Sequence, residues 1–240
     1  MNTQETLSRC RICNRIPAQK YTMRSPEGTD LVYFFCRCGV IYHDRPVDQK
    51  RFTPGYLAKI REAKFFQDRI DYPRRVYMPI IEEATYGRES LDVGFGFPEN
   101  ILNMRDRGWL SDGIDLIKND YITGDFEKFE FNDMYDLVIL HHVVGSFSDP
   151  EKAIEKAAAL VKPGGVVFVM APDAGSAIET GFKDFGHWGI ENRTMYSLEN
   201  MKNSFFKNGF EREPLAQVVN LSPRFLYKND FHLIMRKGLK

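Results

Sequence analysis

The sequence predicts an α/β protein with a doubly wound, mainly parallel sheet and a small metal-binding module at its N-terminus. Two observations lead to this prediction. Strand-like and helix-like segments alternate from residue 89 onward, and all four cysteines lie before residue 39 in two close pairs. Such alternation places helices on both faces of a parallel sheet. A chain of 240 residues with 43% hydrophobic content is long enough for one full core and an appendage.

The chain divides into three segments. Residues 1–48 hold the cysteines and have too few apolar residues to fold by burial alone. Residues 49–86 are rich in charged and aromatic residues, with Tyr56 and Ile60 at helical spacing, and we interpret them as a helical connector and lid. Residues 87–240 carry the alternating pattern and are expected to form the main domain.

The elements of the main domain can be predicted in order from the hydrophobic pattern. Strands are expected over 91–95, 113–116, 135–141 and 166–171. Helices are expected over 98–107, 150–161 and 198–207. Two further strand-like runs, 211–221 and 231–236, are joined without a helical stretch, which predicts an antiparallel closing pair. In the first segment, 31–35 is the one apolar run that indicates a strand.

Charge and hydropathy exclude several classes of protein. Lys+Arg and Asp+Glu both number 33, so the chain lacks the basic footprint of a typical nucleic-acid binder. The longest apolar stretch, 166–171, is far short of the ~20 residues that span a bilayer. The first ten residues contain no apolar run of a signal peptide. We therefore expect a soluble, cytoplasmic protein without a membrane partner; its oligomeric state is not predicted.

A glycine-rich turn follows the first strand of the main domain. Asp92, Gly94 and Gly96 lie at the strand end, directly before a predicted helix. Glycine lets a ligand approach the backbone, and a helix N-terminus offers unpaired N–H donors. A dinucleotide fingerprint requires another glycine three residues after Gly96, but Glu99 stands there. The turn therefore disfavours NAD, and taken alone it also fits a glycine-containing strand-to-helix turn of another α/β protein.

This turn resembles the first motif of the class I S-adenosylmethionine-dependent methyltransferases, with Pro98 in place of the third glycine. Proline suits the first turn of a helix. Later segments resemble further motifs of that family in the expected order, namely 113–116, 124–127, 135–142 and 149–165. The resemblance covers about residues 86–240. It implies a seven-stranded sheet with an antiparallel last strand, methyl transfer as the activity and S-adenosylmethionine as the cofactor.

The resemblance also assigns cofactor-binding residues. Asp115 would bind the ribose hydroxyls, while Asp125 and its neighbour would hold the adenine. The full set is Asp92, Gly94, Phe95, Gly96, Asp115, Leu116, Asp125, Phe126 and His141. Few residues separate Asp115 from Gly124, which leaves no room for the family's usual second helix. An alternative for the acids is local structure, because Asp is common at strand ends and turns, where Asp92 could accept backbone N–H bonds.

The cysteines form the pattern of a metal site. Cys10-x-x-Cys13 and Cys36-x-Cys38 are separated by 22 residues, a spacing that can gather four thiolates around tetrahedral zinc. The arrangement resembles the N-terminal zinc ribbons of many small-molecule and sugar methyltransferases. A four-thiolate site has no open position and would be structural. His43 is a substitute ligand, and four unligated buried cysteines are the alternative.

Histidines are the candidates for acid–base catalysis. His141 and His142 end the fourth strand, where the class I fold opens a pocket beside the transferred methyl group. Since adjacent strand residues face opposite sides, we expect at most one of them to face the substrate. His187 and Tyr56 are reserve candidates. Alternatively, a histidine here only lines the adenine pocket, and a well-aligned nucleophile needs no base.

Three functions are compatible with these residues. The first is a methyltransferase acting on an O, N or C atom of a small molecule, such as a sugar or another metabolite. The second is an RNA or protein methyltransferase that uses residues 1–86 for recognition, suggested by Arg9, Arg11, Arg15, Lys20 and Arg24. The third is a non-catalytic S-adenosylmethionine-binding protein, suggested by Gly145-Ser146 where the family often has Glu-His.

Overall fold

A computed structural model gives the fold. It describes residues 9–24, 28–46, 52–62, 71, 75–179, 189–219 and 229–239. The strands are β1 Gln19–Arg24, β2 Asp30–Cys36, β3 Val40–His43, β4 Glu89–Val93, β5 Leu110–Asp115, β6 Ile122–Thr123, β7 Tyr135–His141, β8 Val161–Pro172, β9 Thr194–Tyr196, β10 Ala216–Val219 and β11 Asp230–Arg236. The helices are α1 Pro54–Arg61, α2 Met78–Ala84, α3 Pro98–Asp106, α4 Pro150–Leu160, α5 Ala174–Glu179 and α6 Leu198–Lys207, with a 3-10 turn at Val144–Ser146.

The larger sheet has seven strands in the order β10-β11-β8-β7-β4-β5-β6. Strands β6, β5, β4, β7 and β8 are mutually parallel, whereas β11 runs antiparallel to both of its neighbours. The central strands have continuous apolar runs because helices cover both faces of the sheet. The predicted doubly wound sheet with an antiparallel last strand is confirmed.

Helix boundaries follow from local signals in the sequence. Asp149 precedes α4, and its carboxylate accepts the N–H of Lys152 at 3.3 Å, with Pro150 at the first helical position. Ser197 caps α6 in the same way through the N–H of Asn200. These two helices begin where the sequence predicts them. Helix α4 ends at Leu160, and β8 starts at the next residue, five residues before the predicted start.

The strand order creates a crevice. β5 lies on one side of β4 and β7 on the other, so the connections after these strands diverge at their carboxyl ends. In open α/β sheets, ligands bind at this switch point. Between β5 and β6 the chain passes through 116–121 without a helix, as the short spacing predicts.

The N-terminal segment forms a second, antiparallel sheet in the order β1-β2-β3-β9. Strand β9 comes from the later part of the chain, and Val40 pairs with Tyr196. The N-terminal segment is thereby built into the rest of the protein through backbone hydrogen bonds. Hydrophobic periodicity did not predict β1, since five of its six residues are exposed. Strands β3 and β9 have only four and three residues, too few for a recognisable period.

Two other predictions can be compared with the structure. In the segment 49–86, where helices were predicted, the described residues form α1 and α2. Across the described residues, no helix is long and apolar enough to cross a membrane. The strand expected over 211–221 is observed as β10, four residues long, and the connection that follows lies largely outside the described residues. Helix α5 was not predicted because its six residues are too few for an amphipathic pattern.

Candidate functional site

A cavity opens at the switch point, beyond the carboxyl ends of β4, β5 and β7. Eight of the nine residues predicted to bind the cofactor line it, namely Gly94, Phe95, Gly96, Asp115, Leu116, Asp125, Phe126 and His141. They come from three strand ends and two loops that are distant in sequence. The remaining member of the set, Asp92, lies elsewhere.

The glycine turn forms one wall of the cavity. Gly94 and Gly96 have φ values of +64° and +62°, in the left-handed region that side chains with a Cβ rarely adopt. A Cβ on Gly94 would also lie 2.5 Å from Cγ2 of Val143, whereas a Cβ on Gly96 would have Leu57 Cδ2 at 3.5 Å. Gly94 is therefore required by both conformation and space, and Gly96 by conformation.

Asp115 ends β5 at the floor of the cavity. Its Oδ2 accepts the N–H of Gly96 at 3.0 Å, and its Oδ1 accepts the N–H of Ile117 at 2.8 Å. Burial raises the pKa of this carboxyl, and the backbone bonds oppose that effect. Each oxygen retains a second lone pair, so the carboxylate can hold the turn and still accept hydrogen bonds from a ligand.

The loop after β6 supplies the opposite wall. Asp125 Oδ1 accepts the N–H of Glu127 at 3.0 Å, and Oδ2 lies 2.8 Å from Lys128 Nζ. Glu127, which also lines the cavity, accepts the N–H groups of Ser148 and Asp149 at 2.8 Å each. Glu127 thereby ties this loop to the start of α4. Although the resembling segment contains Glu127, its spacing gave no reason to select it as a site residue.

Aromatic and aliphatic groups cover much of the cavity surface. Phe126 is buried, and its ring lies 5.6 Å from that of Phe147, another lining residue. From α1 and the residues before it, Phe52, Tyr56 and Leu57 also line the cavity. The predicted reserve candidate Tyr56 is thus at the cavity, whereas His187 lies outside the described residues.

Asp92 faces a second, smaller cavity that shares Asn100 and His141 with the first. Its side chain is buried, and within the described residues neither oxygen has a hydrogen-bond partner. Burial raises its pKa well above the usual value, and the nearby charge of Asp115 acts in the same direction. The suggestion that Asp92 fixes the turn through backbone N–H groups is therefore wrong, because in the part of the chain that the structure describes its carboxylate accepts none.

His141 and His142 both line the first cavity, and which of them faces the substrate stays a prediction. Strand alternation does not separate the two residues here, because His142 has φ of +55° and leaves the extended conformation. Its Nε2 lies 2.9 Å from Oδ2 of Asp230, at the start of β11. Asp230 was missed because the pairing of β11 with β8, which brings it here, is not visible in the local sequence.

The family follows from comparison with known proteins. Residues 64–215 match the family model described as a methyltransferase domain, which covers more than half of the chain. The chain belongs to this methyltransferase family. A search of curated proteins finds no match to the sequence.

Solved methyltransferase structures share this fold. A chain of the Haloferax volcanii complex between the Trm112 methyltransferase activator and a methyltransferase aligns with a TM-score of 0.57 at 15% identity, covering 75% of this chain and 95% of that one. A SAM-dependent methyltransferase from Archaeoglobus fulgidus gives 0.57 at 16%, covering 76% and 99%. The N-methyltransferase NodS from Bradyrhizobium japonicum, in complex with S-adenosyl-L-homocysteine, gives 0.52 at 11%, covering 79% and 96%. The fold is that of S-adenosylmethionine-dependent methyltransferases.

This methyltransferase also carries the predicted cluster of four cysteines, whose sulfur atoms all lie within 4.8 Å of one another. Sγ of Cys10 is 3.7 Å from that of Cys38, and Sγ of Cys13 is 3.3 Å from that of Cys36. Tetrahedral coordination with metal–sulfur bonds of ~2.3 Å separates the sulfurs by roughly 3.8 Å. The cysteines therefore fit a tetrahedral ion with little rearrangement.

The chemistry of the cluster also suits a cation. Burial raises the pKa of Cys10 to about 11, since a buried thiolate needs compensating positive charge. Burial acts on Cys13 as well, but hydrogen bonds from Arg15 N–H and the neighbouring thiols outweigh it and lower the Cys13 pKa to about 7. His43, the substitute ligand, lies outside the cluster: its Nε2 is 3.1 Å from the carbonyl of Ile190.

Proposed function

We propose that the first cavity binds S-adenosylmethionine and that the protein methylates a small-molecule acceptor. The observation that supports this most is the gathering of eight predicted cofactor-binding residues around one cavity at the switch point. The cofactor supplies a methyl group activated by its sulfonium. The protein's part is to bind and align the acceptor, and to remove its proton where one must leave.

We assign the ribose to Asp115, whose oxygens retain lone pairs after accepting the two backbone N–H bonds. The adenine is assigned to the wall formed by Phe126 and Phe147, beside Asp125.

Asp92 borders the second cavity, which shares Asn100 and His141 with the first, and we assign it to a cationic group that reaches across this boundary. Within the described residues its buried carboxylate has no partner, and a positive charge would stabilise it. We propose that this positive charge is the α-ammonium group of the cofactor.

The small-molecule acceptor is supported by the residues of and before α1 that line the cavity. We propose that α1 acts as a lid, because Phe52, Tyr56 and Leu57 from this region line the cavity. Arg61, the last residue of α1, pairs with Glu99 in α3 and lies over the Phe97 ring, which connects the end of α1 to α3. An acceptor held beneath such a lid must be small enough to fit inside.

An RNA or protein acceptor is the alternative. The five basic residues near the cysteines support it. The Haloferax volcanii protein is in a complex with an activator, which suggests a protein partner for this chain as well. The equal numbers of acidic and basic residues argue against RNA as the acceptor. Methyl transfer from radiolabelled S-adenosylmethionine separates the acceptors: label in a metabolite extract below a small-molecule filter supports the proposal, and label only in RNA or protein contradicts it.

We further propose that the four cysteines hold one structural zinc ion. Support comes from the convergence of the four thiols at tetrahedral spacing and from the burial of Cys10 and Cys36. Elemental analysis of protein purified without chelator should find about one zinc per chain. Protein that is folded and free of metal would contradict the assignment.

A further inference from the structure

The antiparallel last strand delivers a buried carboxylate to the edge of the sheet where the cavity opens. In β11 the first residue, Asp230, pairs with Pro172 at the end of β8. A parallel strand would place its last residue there. Because β11 runs the other way, its N-terminal residue meets the carboxyl ends of β7 and β8, beside His142.

Asp230 and His142 lie within ion-pair distance of each other, at the boundary between the core and the cavity. Asp230 is 0% exposed, and its Oδ2 lies 2.9 Å from Nε2 of His142. The His142 side chain keeps 16% of its surface exposed and lines the cavity. A carboxylate removed from water is costly unless it has a charged or donating partner. The imidazole of His142 is such a partner, at the boundary between the core and the cavity.

Within the described residues, two further histidines lie near the pair. His232 lies two residues after Asp230 on β11, fully buried, and burial lowers its pKa to about 4, so it is neutral at physiological pH. The His141 ring lies 5.2 Å from that of His142 and also borders the cavity. Of these three rings, it is that of His142 for which the described residues give an ion-pair distance to the Asp230 carboxylate.

The backbone of His142 is unusual as well. A φ of +55° is uncommon for a residue with a side chain and costs of order 1–2 kcal/mol. This conformation lets both His141 and His142 line the same cavity. The strained turn and the buried carboxylate both bear on the orientation of one imidazole ring.

We propose that Asp230 is a positioning residue for His142 and that the pair serves an acceptor whose nucleophile is a hydroxyl group. This inference rests on the proposed function. In the tautomer that we propose, Nε2 keeps its proton on the side of Asp230 Oδ2, 2.9 Å away, and the lone pair of the neutral ring resides on Nδ1. During transfer the O–CH₃ bond forms as the S–CH₃ bond breaks, the sulfur keeps the electron pair, and the hydroxyl proton passes to Nδ1. The carboxylate of Asp230 then stabilises the imidazolium, as an acid behind a catalytic histidine does elsewhere.

Nitrogen NMR of the histidine rings tests the pair without an acceptor. The chain has five histidines, and His142→Asn identifies the resonances of His142, since asparagine tolerates positive φ. We expect wild-type His142 in the Nε2–H tautomer with a pKa above the ordinary ~6.5. Asp230→Asn should lower that pKa by about one unit or more, and Asp230→Glu should restore part of the shift. Asp112→Asn, which removes an equal charge at the other end of β5, is the matched control and should change nothing.

Two results would overturn the inference. One is the Nδ1–H tautomer for wild-type His142, a measurement that needs no variant and is independent of whether Asp230→Asn folds. The other is a His142 pKa that stays the same in folded Asp230→Asn. Binding of S-adenosylhomocysteine to the wild type is measured on the same sample. Absence of binding would refute the proposed function and leave the tautomer result to decide the inference separately.

Discussion

Replacing Asp115 separates a structural from a cofactor-binding role, because the structure gives its side chain both. In Asp115→Ala the N–H groups of Gly96 and Ile117 lose their acceptor. At about 1 kcal/mol for each bond, the free energy of unfolding should fall by about 2 kcal/mol. The proposed bonds to the ribose are charge-assisted and worth about 1.5–3 kcal/mol, so the dissociation constant should rise roughly ten- to hundredfold.

Asp115→Asn distinguishes these two effects. Its amide oxygen can still accept one backbone N–H, so we expect about half of the loss in unfolding free energy. The loss in cofactor affinity should remain large, because a neutral amide with one acceptor cannot take both ribose hydroxyls as a carboxylate does.

Calorimetric titration with S-adenosylhomocysteine and urea unfolding measure the two quantities on the same samples. Asp112→Ala is the matched control: it lies on the same strand, its Oδ1 accepts the N–H of Gly113 at 2.8 Å, and it is remote from the cavity. The control should lose about 1 kcal/mol of stability and no affinity. Wild-type affinity in both folded Asp115 variants would refute the reasoning.

Three further predictions follow from the site and the N-terminal sheet. Gly94→Ala should weaken S-adenosylhomocysteine binding and lower the melting temperature more than Gly96→Ala, because both share the positive φ but only Gly94 faces Val143 at 2.5 Å; equal losses in calorimetry and thermal unfolding would contradict this. Burial lowers the pKa of His43 to about 4, below its unfolded value of ~6.5, so the folded state binds the proton less well and stability present above pH ~6.5 is lost as the pH falls toward 4. Relative to His43→Gln, the wild type should therefore lose about 2 kcal/mol of unfolding free energy between pH 7 and pH 5, and a parallel pH dependence of the two proteins in urea unfolding would disprove it. Cys13→Ser should lower zinc content and stability, and so should a strong chelator on the wild type, whereas unchanged metal content in Cys13→Ser would exclude this cysteine as a ligand.

Much of the fold was predictable because its signals are local. Pro150 after a capping Asp149 marks the start of α4, and the turn at Gly94 and Gly96 marks the end of the first strand of the large sheet. The antiparallel end of the sheet was predictable because the connection between the last two strand-like runs contains no helical stretch, and a parallel crossover usually needs a helix. These features depend on neighbouring residues, which a single sequence displays directly.

Features that depend on distant pairing were not predictable. Strand β9 completes the N-terminal sheet from more than 150 residues away, and nothing in Thr194–Tyr196 indicates its partner. Asp230 reaches His142 only through the register of β11 on β8. The orientation of Asp92 toward a second cavity likewise depends on which face of the sheet the helices α2 and α3 cover. Residue types were visible in the sequence, but their partners were not.

The central claim is that the cavity at the carboxyl ends of β4, β5 and β7 binds the methyl donor. Calorimetric titration of the purified wild-type protein with S-adenosylmethionine and S-adenosylhomocysteine tests this directly. We predict saturable binding of each at one site per chain, with competition between them and weakened binding in Asp115→Asn. Absence of binding to folded, metal-replete protein, or binding that Asp115→Asn and Gly94→Ala both leave unchanged, would contradict the account.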